Sequence, residues 1–337
     1  MMKHDSLKPY AMQLGLPKSE SLWKIFNILY DSPDKRKVAA ALPGKVSEVA
    51  EKTGLSLADT QEALKALRQK GAVNQIMSKT DSYRLYPELI HLRDSVIITP
   101  GVDPVVAELF DAILVKDIPG TVPFMEKMGL PPVMRVLPIE ETVESEDTIL
   151  NIESARQIIQ EAEQVVAVPC ACRTTAKLRD RNSDCPAPKD VNLCLLTNRF
   201  GYEIVDRGIG KLISTQEALR RLDLAEEAGL VHMGRNNVSK DMMICNCCPC
   251  CCTGLYIHNV IQWASYAPSR YKAKLDDGLC VGCGECVERC YFQAIDLEEV
   301  AHIDTEKCFG CGNCAKVCPA NAISLEEVLP MEHIRGT

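Results

Sequence analysis

From residue 20 to residue 92 the apolar positions first recur with helical spacing and then alternate. Val46-Ser-Glu-Val-Ala50-Glu-Lys-Thr-Gly54 has one apolar face and ends on glycine, so it predicts a short amphipathic helix. Ser56-Leu-Ala-Asp59 caps a second helix, expected to bury Leu57, Leu64 and Leu67, and Gly71 stops it. Two β-like runs follow, residues 72–77 and 83–86, with Ser78-Lys79-Thr80-Asp81 as the turn between them. Residues 95–140 carry Pro100, Pro104, Pro119, Pro123, Pro131, Pro132 and Pro138. This segment predicts a wrapping connection with one short helical stretch near 105–115. An amphipathic helix near 152–164 leads into the β-like run Val165-Val-Ala-Val168. Farther on, Ser214-Thr-Gln-Glu217 opens a helix with Ala218, Leu219, Leu222, Ala225 and Ala228 inward and Gly229 as its stop.

The C-terminal part repeats itself with a period of 28 residues. Cys280-Val-Gly-Cys283-Gly-Glu-Cys286-Val-Glu-Arg-Cys290 matches Cys308-Phe-Gly-Cys311-Gly-Asn-Cys314-Ala-Lys-Val-Cys318, and each copy carries C-x₂-C-x₂-C-x₃-C. Three closely spaced thiolates from one loop can reach three corners of an iron–sulfur cube. A pair of structural zinc sites would also use C-x₂-C pairs, but zinc takes four thiolates, not three in a tight run plus a remote fourth. In both copies the segment resembles the two-cluster bacterial ferredoxins. That resemblance implies two [4Fe–4S] clusters with crossed ligands: Cys280, Cys283 and Cys286 take Cys318, while Cys308, Cys311 and Cys314 take Cys290. The fourth cysteine of each copy is expected to open a short helix, and Ala294-Ile295 and Ala322-Ile323 to cover the clusters. Gly282, Gly284, Gly310 and Gly312 suit a backbone passing close to sulfide. Tyr291 stands where the second copy has Pro319, a departure that leaves every ligand in place.

Ten further cysteines lie between residues 170 and 252, in two groups. The first is Cys170, Cys172, Cys185 and Cys194; the second is the run Cys245, Cys247, Cys248, Cys250, Cys251 and Cys252. Adjacent cysteines form strained disulfides, and thiols so crowded oxidise readily, so metal is the economical reading. The preferred partition gives the first group a third cluster and the run a fourth; a cluster shared between the groups, or zinc, are the alternatives. Arg173 beside the first pair is a candidate partner for a cluster sulfur or, equally, a surface arginine. His232, His258 and His302 are expected to be structural.

The chain has 337 residues, 46% apolar and 25% charged, an ordinary composition for globular protein with room for several domains. Its N-terminus has no signal-like apolar run and no stretch suggests a membrane span, so a cytoplasmic location is expected. Net charge is −8, unevenly spread: residues 1–98 hold 15 Lys and Arg against 11 Asp and Glu, a balance of +4 that leaves −12 for the rest. The order of N-terminal elements resembles a winged-helix domain. In a DNA-binding member the second helix of the turn would enter the major groove, here presenting Gln61, Glu62, Lys65, Arg68 and Gln69, with Lys79 on the wing. That is a thin footprint for gripping phosphate, so docking to protein is the preferred role. No glycine-rich dinucleotide loop, phosphate loop or serine-hydrolase elbow appears.

The expected fold is α+β and multidomain: a winged helix over 1–94, a cysteine-rich α/β middle domain over 95–270, and a two-cluster ferredoxin fold over 271–337. The leading function is a multi-cluster protein relaying single electrons between redox partners in anaerobic metabolism. A redox- or iron-sensing DNA-binding regulator, and an oxidoreductase with a catalytic cluster in the middle domain, are the alternatives; no catalytic residue is assigned.

Overall fold

The computed structural model describes residues 5–76, 81–129, 131–145, 149–181, 184–263 and 265–336. The expected turn residues Ser78, Lys79 and Thr80 lie outside them, and with Lys79 the wing position. The chain packs as two compact units, and the boundaries expected at 94 and 270 do not coincide with theirs. One unit is Met1–Gly129 with Cys170–Arg181 and Tyr202–Ile209; the other is Leu130–Pro169, Asn182–Gly201 and Gly210–Thr337.

The first unit is mainly helical. In chain order it runs α1 (Lys8–Gln13), α2 (Glu20–Leu29), α3 (Pro33–Ala40), β1 (Gly44–Lys45), α4 (Val46–Thr53), α5 (Leu57–Gln69), β2 (Asn74–Gln75), β3 (Ser82–Arg84), α6 (Leu89–Ile97), α7 (Pro104–Ala112) and α8 (Ile118–Lys127). The three strands form one antiparallel sheet in the order β1-β3-β2. α4 ends on Gly54 at φ 72°, and the Ser56 hydroxyl accepts the Asp59 N–H at 3.1 Å, so both expected boundaries hold. Leu57 does not turn inward as expected: it is 60% exposed, while Thr60, Ala63, Leu64 and Leu67 carry the buried stripe. The short helix expected near 105–115 is also longer than its prolines suggested. α7 runs through a π-helical turn, Ile113–Asp117, into α8. Pro119 follows closely on that π-helical turn and Pro123 lies inside α8, so both sit within a continuous helical run.

The second unit is built on a sheet of β4 (Met134–Val136), β5 (Val165–Val168), β6 (Cys194–Thr197), β7 (Lys211–Ile213), β8 (Val231–Arg235), β9 (Met243–Cys247) and β10 (Tyr266–Ala267), in the order β10-β4-β8-β9-β6-β5-β7. Every pairing is antiparallel except β10 with β4. Interleaved with these strands are α9 (Ala155–Gln160), α10 (Ala171–Leu178, in the first unit), α11 (Arg199–Asp206, from Tyr202 onward in the first unit), α12 (Thr215–Glu227) and α13 (Thr253–Asn259). α9 starts later than the helix expected over 152–164 because Ser154, accepting the Gln157 N–H at 3.1 Å, sets its start, and it stops at Gln160. α12 starts as expected, with Ser214 accepting the Glu217 N–H at 3.2 Å. α9 and α12 cover one face of the sheet, where Ile158, Ile159, Ala218 and Leu222 pack on Val165, Ala167, Leu195 and Ile244. Alternation along the strands sends Val136, Val231 and Met233 to the other face, against Leu255, Tyr266, Phe292 and Phe309.

The repeat is visible in the backbone. After β11 (Tyr271–Leu275), the first copy supplies α14 (Glu285–Arg289) and β12 (Ile295–Leu297), which pairs with β13 (Ala301–Ile303). The second supplies α15 (Asn313–Val317) and β14 (Ile323–Glu327), which returns to pair with β11. α15 and β14 each begin 28 residues after their counterparts, the period of the cysteines.

Candidate metal centres

Two small cavities open inside the repeat, and each mixes cysteines from both copies. One is lined by Cys280, Cys283, Cys286 and Cys318, together with Ala322 and Ile323. The other is lined by Cys290, Cys308, Cys311 and Cys314, together with Ala294 and Ile295. The crossing has a simple structural origin. The first three cysteines of a copy lie on the loop and first turn of its helix, whereas the fourth is the residue at which the helix stops. Cys290 and Cys318 therefore close α14 and α15 instead of opening helices as expected. A five-residue helix moves the chain by about 7.5 Å, enough to hand the fourth thiol to the neighbouring cavity.

The loops around these cavities have the features a cubane requires. Ala294 N–H donates to Cys290 Sγ at 3.2 Å, Ala322 N–H to Cys318 Sγ at 3.3 Å, and Gly310 and Ala273 N–H to Cys308 Sγ at 3.4 Å. Such bonds favour thiolate. On the outer side, the carbonyls of Phe309, Gly310 and Cys311 accept from Ser269 N–H, Ser269 Oγ and Ile139 N–H. Gly310 has φ 63°, and a Cβ there would lie 2.1 Å from the Tyr271 carbonyl oxygen, so no larger residue fits.

Burial opposes ionisation of four of these thiols. It pushes Cys311 up to about 12, Cys308 and Cys290 adding repulsion, and raises Cys314, Cys290 and Cys286 as well. Buried thiolates need a cationic centre, and that is what an iron–sulfur core supplies. The residues present thus fit two [4Fe–4S] groups.

The middle cysteines fall into sets that differ from the expected partition. Cys185 lies with Cys248, Cys250 and Cys251, all four sulfurs within 4.8 Å of one another, while Cys194 is outside that set. Cys245 and Cys247 point to the sheet face opposite α9 and α12, and the Cys247 thiol is hydrogen-bonded to Cys245 and Cys252. Those bonds, and then burial, raise its pKa well above the ordinary value. The β6–β9 register, continued one residue beyond Leu195↔Ile244, sets Cys194 opposite Cys245 on that same face.

Cys170 and Cys172 belong to the first unit, at the start of α10. Arg173 N–H donates to Cys170 Sγ at 3.5 Å. Arg93 of α6 also reaches this pair, with Nη1 3.6 Å from the Cys172 sulfur. Burial works against the Arg93 charge, yet Cys172 and Asp94 outweigh it and raise its pKa. Sequence reading missed Arg93 because 79 residues separate it from its cysteine. His232 is structural as expected, buried between Asn246 and Glu226, and His302 is exposed beside Asp296. His258 stands edge-on to Phe292 and Phe309, which stack with ring centres 4.3 Å apart; burial lowers its pKa.

Crossed cysteine quartets in a duplicated loop–helix–strand unit define a two-cluster iron–sulfur domain of the ferredoxin kind. The comparison with protein families agrees: residues 273–325 match the 4Fe-4S dicluster domain. Neither a curated protein nor a solved structure matches the chain. The domain gives the chain a redox or electron-transfer function in general terms. No helix among the described residues is long and apolar enough to cross a membrane.

Proposed function

We propose that the chain relays single electrons between redox proteins through a series of iron–sulfur clusters, two of them in the crossed quartets. The observation that carries this reading is the pair of cavities, each lined by three cysteines of one repeat and the fourth of the other. Cubanes, when bound there, take up and release one electron at a time without moving atoms far.

The surroundings of the two quartets support a direction for the path. Cys283 is exposed, Val281 beside it is 68% exposed, and Glu285, Glu288, Asp296, Glu298 and Glu299 are all exposed on the same copy. An apolar spot ringed by carboxylates suits transient docking of a basic redox partner. Cys308 and Cys314 are buried, and the Phe292–Phe309 stack against their cavity belongs to the same apolar cluster as Cys252, with Cys245 and Cys247 packed on it. Cys245, Cys247 and Cys252, with Cys194 as the further thiol on that face, are the candidate ligands of a further metal centre inward of the quartets.

The N-terminal element order and its three-stranded sheet support the winged-helix reading, and the charges favour docking to protein over DNA. Arg68 of α5 is only 16% exposed and is paired with Asp206 at 2.6 Å and Glu203 at 3.5 Å, and Lys70 is held by Asp31 at 2.7 Å. Arg68, a cation of the expected recognition surface, is therefore already neutralised, as is Lys70 just beyond it at the end of α5.

Anaerobic purification with iron and sulfide analysis, followed by reductive titration under electron paramagnetic resonance, tests the reading. It predicts at least about eight irons per chain and stepwise one-electron reduction. Zinc in place of those irons would contradict it.

A further inference from the structure

Cys185 and the Cys248–Cys251 turn bring four sulfurs together more tightly than either ferredoxin quartet does. All four lie within 4.8 Å of one another, with Cys185 Sγ 3.6 Å from Cys248 Sγ and Cys250 Sγ 3.7 Å from Cys251 Sγ. Among the described residues no other set of three or more metal-binding side chains is so compact, and the two crossed quartets are spread wider.

Those separations discriminate between three chemistries. A disulfide would bring two sulfurs to about 2.05 Å, far closer than either measured pair. A cubane places each thiolate on its own iron, at separate corners, so its sulfurs stand apart, as they do around the two ferredoxin cavities. A single ion bound to four thiolates at about 2.3 Å sets every sulfur about 3.8 Å from the next, the edge of that tetrahedron. The observed 3.6 and 3.7 Å fit the last case.

We propose that Cys185, Cys248, Cys250 and Cys251 hold one tetrahedral zinc ion and not a further iron–sulfur cluster. Zinc suits a closed site of four thiolates, because it has no redox chemistry and no geometric preference beyond the tetrahedron the ligands offer. The ion would tie the Cys185 loop to the turn that follows β9. A small apolar cluster of Ala187, Leu193, Ala225 and Leu230 around the buried Cys248 already braces that junction. This assignment rests on sulfur geometry alone and stands or falls separately from the electron-relay reading.

The test compares the full chain with its Cys250→Ser/Cys251→Ser variant, both purified anaerobically and assayed for zinc, iron and sulfide. The parent is expected to hold one zinc per chain that the variant lacks, with iron and sulfide unchanged between them. Loss of about four irons with their sulfide, or a parent without zinc, would overturn the proposal. Should the variant fail to fold, X-ray absorption at the zinc edge of the parent decides the matter. Four sulfurs at about 2.3 Å and no neighbouring metal support the site, whereas nitrogen or oxygen ligands or a metal neighbour refute it.

Discussion

At the scale of single residues, the most constrained positions are glycines that let the backbone pass where a side chain cannot. Gly310 combines a left-handed φ of 63° with a Cβ position 2.1 Å from the Tyr271 carbonyl oxygen and 2.3 Å from Ser269 Oγ. Gly310→Ala should therefore displace the Cys308 loop and remove one cluster while sparing the other. Iron analysis is expected to show about half of the ferredoxin complement retained, about four irons, and full retention would contradict this. Ligand residues were legible in the repeat because three of each quartet lie within seven positions, and the resemblance supplied the fourth. They were not legible in the middle region. Cys185 meets Cys248, Cys250 and Cys251 across more than sixty positions, and no local spacing announces a contact closed by tertiary structure.

At the scale of elements, capping chemistry located helices more reliably than apolar spacing did. Ser56 and Ser214 open α5 and α12 where expected, because a hydroxyl accepting an N–H three residues on is a local event. The outward turn of Leu57 and the length of α7–α8 depended instead on neighbours that local pattern does not name. α12 is the element that holds the sheet's covered face. Leu222, fully buried among Ala155, Ile159 and Leu195, should cost about 2–5 kcal/mol on truncation to alanine, and loss of the Ser214 cap about 1 kcal/mol. Denaturant midpoints of the metal-loaded protein are expected to rank wild type above Ser214→Ala above Leu222→Ala. The reverse order of the two variants would mean that α12 is not held by its packing.

At the scale of the whole molecule, charge asymmetry separates a weakly basic N-terminal segment from an acidic remainder that includes the ferredoxin surface. With Arg68 and Lys70 paired to carboxylates, duplex DNA should bind weakly, without sequence preference and with a shallow salt dependence. Fluorescence anisotropy across a salt series checks this, and a tight, sequence-selective complex with a steep slope would favour the regulator. The proposed relay depends on the crossing of ligands between the repeats, since that crossing is what builds two cavities from one duplicated loop. Its most direct test is electron paramagnetic resonance of the dithionite-reduced Cys290→Ala and Cys318→Ala variants. Cys290→Ala is expected to perturb only the cluster nested in Cys308, Cys311 and Cys314, and Cys318→Ala only the one nested in Cys280, Cys283 and Cys286. Perturbation of the cluster within the same repeat, in either variant, would contradict the account.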